Sequence, residues 1–341
     1  TEKVVIFDLL HYPHINFFKN AINIFNRDYG KAVIFYRPRK GGVSGFKKII
    51  KSEYPDILSI HVGKHFSSFF GKIYGMLKRY FDLLKLLNSI DYHATVGVAD
   101  MSIGPISKLH SRPTIHFYDD PEHKLSFYLS RISSDRLIVP STVKNSSHNI
   151  KKYIGYKELA YLHPNYYKAD LRHLEPYDLK PNDYVFVRDV SNFGLNYKHY
   201  LPGQTSEIVD ILLKKGIKIL LSLENKADEK YFKNNNNLVV LKEPISDIFS
   251  LIRYSKFTLS SGDTLARESC LLGTPCIYTG GREMQVNRPL VEEGLLLEIN
   301  NSEDLKKAIG DLINLGSDDF FLGKANKLVS ESEDPTKVIL D

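Results

Sequence analysis

The stretch SKFTLSSGDTLARESCLLGTPCIYTGG, residues 255–281, decides the fold. A short β-rich run ends in Ser260, Ser261, Gly262, Asp263 and Thr264, a helical run follows, and a second apolar run begins at Pro275. Strand, tight polar turn, helix and strand in that order make the parallel βαβ unit. The turn's composition has a physical reason. The first amides of a helix have no partner inside it and carry a partial positive charge, so small residues there let a phosphate approach.

The same alternation runs outward in both directions. β-rich runs fall at 3–10, 31–36, 56–60, 93–98, 113–119 and 135–141, and again at 183–190, 217–223, 237–243, 256–261, 275–280 and 295–299. Near-continuous apolar strands separated by segments of helical period indicate parallel sheets covered on both faces. The expected fold is α/β, with two Rossmann-like domains facing across a cleft. Helix and strand patterns both fail in HPNYYKADLRHLEPYDLKPND, 163–183, which sets the domains at 1–165 and 166–341, the last helix being free to pack back on the first.

At 341 residues, 43% apolar and 25% charged, the composition is that of a globular protein with room for two domains of about 150 residues. No run approaches the roughly 18 apolar residues of a membrane span, and TEKVVIFDLL enters a strand pattern without a basic leader, so a cytoplasmic location is expected. Cys270 and Cys276 lie in apolar runs and read as buried thiols, not as a disulfide or a metal site. Up to residue 165 there are 24 Lys and Arg against 13 Asp and Glu; beyond it the balance is 22 against 27. A basic first half suits an anionic partner, an acidic lipid surface or a phosphorylated acceptor, or else is a solvated lysine-rich surface.

Ligands of open α/β sheets bind beyond the carboxyl ends of the strands. The first strand ends in LLHYPHINFF, with His14 near the start of a helix, and lacks the G-x-G-x-x-G fingerprint of nicotinamide or flavin enzymes. The fifth ends in FYDDPEHKL, where Asp119, Asp120, Glu122 and His123 are candidates for a general base, a metal cluster or ordinary helix-capping acids. Glu268 stands about one turn inside the helix that follows SSGDT, in reach of vicinal hydroxyls such as those of ribose. Its neighbour Arg267 either holds it or contacts another element. The segment KIYGMLKRYFDLLKLL, 72–87, has too many apolar positions for one exposed face and reads as a core-covering helix, the alternative being a surface for an anionic or lipid-linked acceptor.

SSGDTLARESCLLGTPCIY is similar to the diphosphate- and ribose-binding segment of GT-B glycosyltransferases and of non-hydrolysing UDP-N-acetylglucosamine 2-epimerases. HYPHINFFK (11–19), FYDDPEH (117–123), YIGYKELAYLHPNYY (153–167) and FVRDVS (186–191), together with that segment, resemble domain-of-unknown-function family 354 along nearly the whole chain. The resemblance implies GT-B architecture, a nucleotide-sugar substrate, with UDP linkage the expectation, and no cofactor or essential metal. It implies that Ser261, Gly262 and Thr264 cradle the diphosphate, that Glu268 holds the ribose, and that Arg188, with Ser191 beside it, clamps the leaving group. Pro244 and Ile245 would meet the base, Gly280 and Gly281 the sugar, while Asp119, His14 and Glu122 would carry the acid–base chemistry. This chain departs from the family at Asp263, where another glycine is usual, and a carboxylate beside a diphosphate opposes binding unless its oxygens are otherwise engaged.

Three functions stay open at this stage. A metal-independent glycosyltransferase would pass the sugar to a glycan or lipid-linked acceptor in cell-surface polysaccharide synthesis, with peripheral membrane contact through the basic first domain and no nucleic-acid partner. A 2-epimerase would need several acidic groups around one sugar and no acceptor. A non-catalytic nucleotide-sugar-binding protein would need only the second domain's site.

Overall fold

Among the described residues every strand pair is parallel, and the strands form two sheets. The structure, a computed structural model, describes residues 2–37, 43–64, 66, 68–98, 102–189, 204–224, 229–230, 232, 235–242, 245, 247–299, 301–315 and 318–341. It divides into two units, 1–163 with 332–341, and 164–331.

Unit 1 opens with β1 (Val4–Leu9), α1 (Tyr12–Asp28), β2 (Lys31–Tyr36), α2 (Val43–Glu53), β3 (Leu58–His61) and α3 (Phe69–Leu87). It continues through β4 (Ala94–Val98), α4 (Ile103–Leu109), β5 (Thr114–Phe117), α5 (Lys124–Ser133), β6 (Arg136–Pro140), β7 (Ile150–Tyr153) and α6 (Leu159–Leu162). Its strand order is β3-β2-β1-β4-β5-β6-β7. Unit 2 runs β8 (Tyr184–Asp189), α7 (Gln204–Lys214), β9 (Lys218–Leu223), β10 (Leu238–Val240), α8 (Ile248–Arg253), β11 (Thr258–Ser260) and α9 (Asp263–Leu271). It ends with β12 (Cys276–Tyr278), α10 (Arg288–Glu292), β13 (Leu296–Glu298), α11 (Ser302–Asn314) and α12 (Asp318–Ser330), and its order is β10-β9-β8-β11-β12-β13. The last helix, α13 (Pro335–Leu340), belongs to unit 1, where it packs on α1 and α6 and Thr336 Oγ1 donates to the Ala160 carbonyl at 2.9 Å. The units therefore part at 163/164, and residues 332–341 leave the second unit for the first.

Alternation along β1 builds the core of unit 1. Phe7 points to α1, touching Phe18 edge-on at 5.7 Å, while its neighbour Ile6 joins Val33 and Phe35 under Leu83 and Leu87 of α3 and Ile103 and Ile106 of α4. Each such side chain contributes about 1.5–3 kcal/mol on burial. Helix α1 starts two residues before His14: His11 is its N-cap, Pro13 sits in its first turn, and Ile15, Phe17, Phe18, Ala21 and Ile22 form the buried stripe. The twelve apolar runs all form strands. β7, an edge strand of sequence IKKY, was not anticipated because two of its four residues are exposed lysines. Among the described residues no helix is long and apolar enough to cross a membrane.

Candidate functional site

The strand order of unit 2 reverses between β8 and β11, the switch point where open α/β sheets take their ligands. Three predicted segments meet there. Arg188 and Tyr278 flank Ser260 in register, the Ser261 amide donates to the Arg188 carbonyl at 3.3 Å, and the Thr279 amide donates to the Ser260 carbonyl at 3.0 Å. Arg188 pairs with neither Asp189 nor a helix end through Nη1; that nitrogen donates to Ser222 Oγ on β9 at 2.7 Å.

Gly262 is the N-cap of α9, in extended conformation, and exchanges hydrogen bonds with Ser260 Oγ through both its amide (3.0 Å) and its carbonyl (2.9 Å). The amides of Ser261 and Gly262 are thus engaged within the fold, and the helix's own first amides follow from Asp263 onward. Thr264 is half-buried in that first turn, and Glu268 is buried one turn further on. Arg267 contacts another element: its Nη1 donates to Asn287 Oδ1 at 3.3 Å and reaches Met284 Sδ at 3.7 Å. Arg267 is 1% exposed and ties α9 to the 3-10 turn Gln285–Asn287. Burial pushes the nearby Glu298 carboxyl above its ordinary range.

Asp263 resolves the sequence's departure from its family pattern. Its two carboxylate oxygens are engaged by the Tyr278 hydroxyl and by Nη1 of Arg282. The arginine on that carboxylate offsets its charge and is fixed at the mouth of the turn, where both side chains are only 12–14% exposed. Gly280 makes the arrangement possible: a Cβ there would stand 2.3 Å from the Tyr278 hydroxyl and 2.6 Å from the Ser261 carbonyl. Gly281 follows with φ +66. Ile245 lies after β10, two strands from β8, and is half-buried; Ser191 and Pro244 lie outside the described residues.

In unit 1 the carboxyl edge carries the acid–base candidates. Asp119, 7% exposed just beyond β5, accepts Lys157 Nζ at 2.8 Å. Lys157 precedes α6, so the segments FYDDPEH and YIGYKELAYLHPNYY meet in this ion pair. The buried Glu158 follows it, and Glu122 is half-buried in the turn before α5. His14 is buried on the same sheet edge, its helix carried over β5 by the 5.2 Å contact of Phe17 with Phe117. Its Nδ1 accepts the Leu10 amide at 3.2 Å. A ring nitrogen that accepts an amide carries no proton, so the neutral ring bears its proton on Nε2 and acts as a donor.

Sequence reasoning missed Lys157 as the partner of Asp119, Tyr278 and Arg282 as partners of Asp263, and the buried pair of Asp8 with Arg79 of α3, in which Nη2 lies 2.7 and 2.6 Å from the two oxygens. Each joins residues far apart in the chain; the only local signal was that Lys157, Tyr278 and Arg282 lie in or beside segments singled out for other residues. Cys270 and Cys276 are free and buried, and burial pushes both thiols up, Cys276 to about 12. Among the described residues no group of three or more His, Cys, Asp or Glu is placed to hold a metal ion.

Two Rossmann-like units with ligand edges of this kind define a two-domain α/β protein of the GT-B fold. The chain belongs to the family described as protein of unknown function (DUF354), whose model matches residues 3–341. It is 23% identical to the uncharacterized protein MJ0665 of Methanocaldococcus jannaschii over 347 residues, covering 98% of this chain and 96% of that one. Among solved structures it is similar to the Methanocaldococcus jannaschii UDP-GlcNAc 2-epimerase in complex with UDP-GlcNAc and UDP, with TM-score 0.69, 15% identity, and 96% of this chain and 99% of that one covered. It is also similar to CalG4, the calicheamicin glycosyltransferase, with TM-score 0.66, 10% identity, and 99% and 96% covered. At these identities the likeness shows the fold.

Proposed function

We propose that this protein is a metal-independent glycosyltransferase that moves a sugar from a nucleotide-sugar, UDP-linked, to a glycan or lipid-linked acceptor in cell-surface polysaccharide synthesis, at the cytoplasmic face of a membrane. The observation that carries the nucleotide-sugar part is the turn into α9, which has Arg188 in register beside it at the end of β8 and Arg282 held on Asp263, the first residue of its helix. The UDP complex of the structurally similar epimerase supports the choice of nucleotide.

In this reading unit 2 holds the donor. The turn into α9 at Ser261, Gly262 and Thr264 takes the diphosphate, with the helix amides from Asp263 onward as its backbone donors, Arg188 and Arg282 offset its charge as the bond to the sugar breaks, and Glu268 accepts hydrogen bonds from the ribose hydroxyls. Pro244 and Ile245 meet the base, and Gly280 and Gly281 the sugar. Unit 1 supplies the acceptor chemistry. Asp119, oriented by Lys157, takes the acceptor proton, His14 donates a hydrogen bond through Nε2, and Glu122, in the turn before α5, is the further acid–base group.

A second reading, 2-epimerisation, is favoured by the acids Asp120, Glu122 and Glu158 in the two segments that the Asp119–Lys157 pair joins, and by the fold shared with the epimerase. One experiment separates the two. The protein is incubated with UDP-GlcNAc alone and with acceptor-bearing membranes, with magnesium and with chelator, and the sugar is followed by NMR. Transfer that needs acceptor and survives chelator is expected. A C2 epimer formed without acceptor makes the protein an epimerase, loss of turnover in chelator with rescue by manganese overturns metal independence, and binding with no turnover leaves a nucleotide-sugar sensor.

A further inference from the structure

Helix α3 covers the core with one side and exposes an apolar opposite side. Gly75, Arg79, Leu83 and Leu87 are its buried row, the last two inside the core cluster of unit 1. On the opposite side Phe70, Ile73, Tyr74, Leu77 and Phe81 fall within an arc of roughly 100° at 3.6 residues per turn. They are exposed, Phe70 at 82% and Phe81 at 64%. A helix that is apolar all round needs a cover for its second face. Exposed Phe and Tyr side chains rimmed by lysine are the composition of a helix lying in a membrane interface.

We propose that the outer face of α3 docks this protein on an anionic bilayer surface. Charge selects that occupant. Residues 64–87 contain four lysines and, besides the buried Arg79, one acid, Asp82, which Lys78 already holds at 2.8 Å. Lys64 and Lys85 stand exposed before the helix and in its last turn. A second copy of the chain that met this face with its own α3 would bring a second set of lysines and no acidic complement. Acidic headgroups supply the missing charge, while the rings enter the acyl boundary. The inference deepens the proposed function by naming the surface that reaches a membrane-borne acceptor, and it rests on that reading only for what the docking serves.

The test is co-sedimentation of the full chain with vesicles of phosphatidylcholine containing about 30% phosphatidylglycerol, and with phosphatidylcholine alone. Partition at least about tenfold stronger into the anionic vesicles is expected, weakening as NaCl rises from about 0.05 to about 0.5 M. The triple variant Phe70→Ser, Leu77→Ser, Phe81→Ser should lose at least about tenfold in partition while melting like the parent, because the replaced side chains are exposed; Phe70→Ser alone takes its place should the triple variant melt early. Equal partition into both vesicles, partition undiminished in the variants, or self-association in ultracentrifugation that the variants abolish would each overturn the proposal. UDP binding by calorimetry on the same samples keeps the two readings apart, since docking needs no nucleotide and nucleotide binding needs no vesicle.

Discussion

Lys157 Nζ lies 2.8 Å from the Asp119 carboxylate, with side chains 23% and 10% exposed, so two segments some forty positions apart share one oriented ion pair at the edge of the first sheet. If that carboxylate takes the acceptor proton, Asp119→Asn should lower turnover on the order of 10²- to 10⁴-fold, with UDP affinity unchanged because unit 2 holds the nucleotide. Lys157→Met should lower turnover less, since it disorients the base without removing it. Steady-state kinetics with calorimetry checks this, and an active Asp119→Asn moves the base elsewhere.

Asp8 and Arg79 are both fully buried, and a single guanidinium nitrogen bridges both carboxylate oxygens. Removing one partner leaves a charge in the interior, so Arg79→Met should destabilise by about 3–5 kcal/mol, whereas the double variant Asp8→Asn, Arg79→Met should recover much of that loss. Urea unfolding of the four proteins in the cycle measures the coupling. Strictly additive losses would mean that the two residues act independently.

The strands were legible because a sheet buried on both faces writes itself as apolar runs, and β1, β8 and β11 needed nothing else. β7 was not, since only Tyr153 of IKKY is buried. In α3 the reading of a core cover captured Leu83 and Leu87 but could not say that Phe70 and Phe81 stay outside, because burial of one helical face is a tertiary fact. The turn at SSGDT was legible as the passage from strand to helix through its residue types alone. The engagement of Asp263 by Tyr278 and Arg282 did not show, because it depends on Gly280 bringing the next loop against the turn.

His61 ends β3 beside Tyr36, and burial, followed by the charges of Lys64 and Arg79, lowers its pKa below the ordinary 6.5. The folded state thus prefers the neutral ring. As pH falls through about 6.5 the unfolded chain takes up a proton that the folded one resists, so stability present above that pH is lost below it, down to the folded pKa. Chemical denaturation between about pH 8 and pH 5 should show His61→Gln losing less stability than the parent on acidification. Parallel pH profiles for the two proteins would remove His61 as the cause.

Asp263 holds Arg282 at the N-terminus of α9, and this geometry separates a diphosphate contact from a merely structural pair. If Arg282 meets the diphosphate, Arg282→Ala should weaken UDP binding by about 1–3 kcal/mol, the worth of a hydrogen bond to a charged group, and leave the binding of uridine, which has no phosphate, unchanged. Asp263→Asn keeps the acceptor oxygen but removes the charge that orients the guanidinium, so its effect on UDP should be smaller and of the same sign. Asp263→Ala also strips the Tyr278 hydroxyl of its partner and should lower the melting temperature as well. Calorimetry with UDP and uridine on each variant reads these differences directly. Equal losses for UDP and uridine would show that Arg282 only shapes the loop, and tighter UDP binding by Asp263→Ala would show that the carboxylate repels the diphosphate in spite of its arginine.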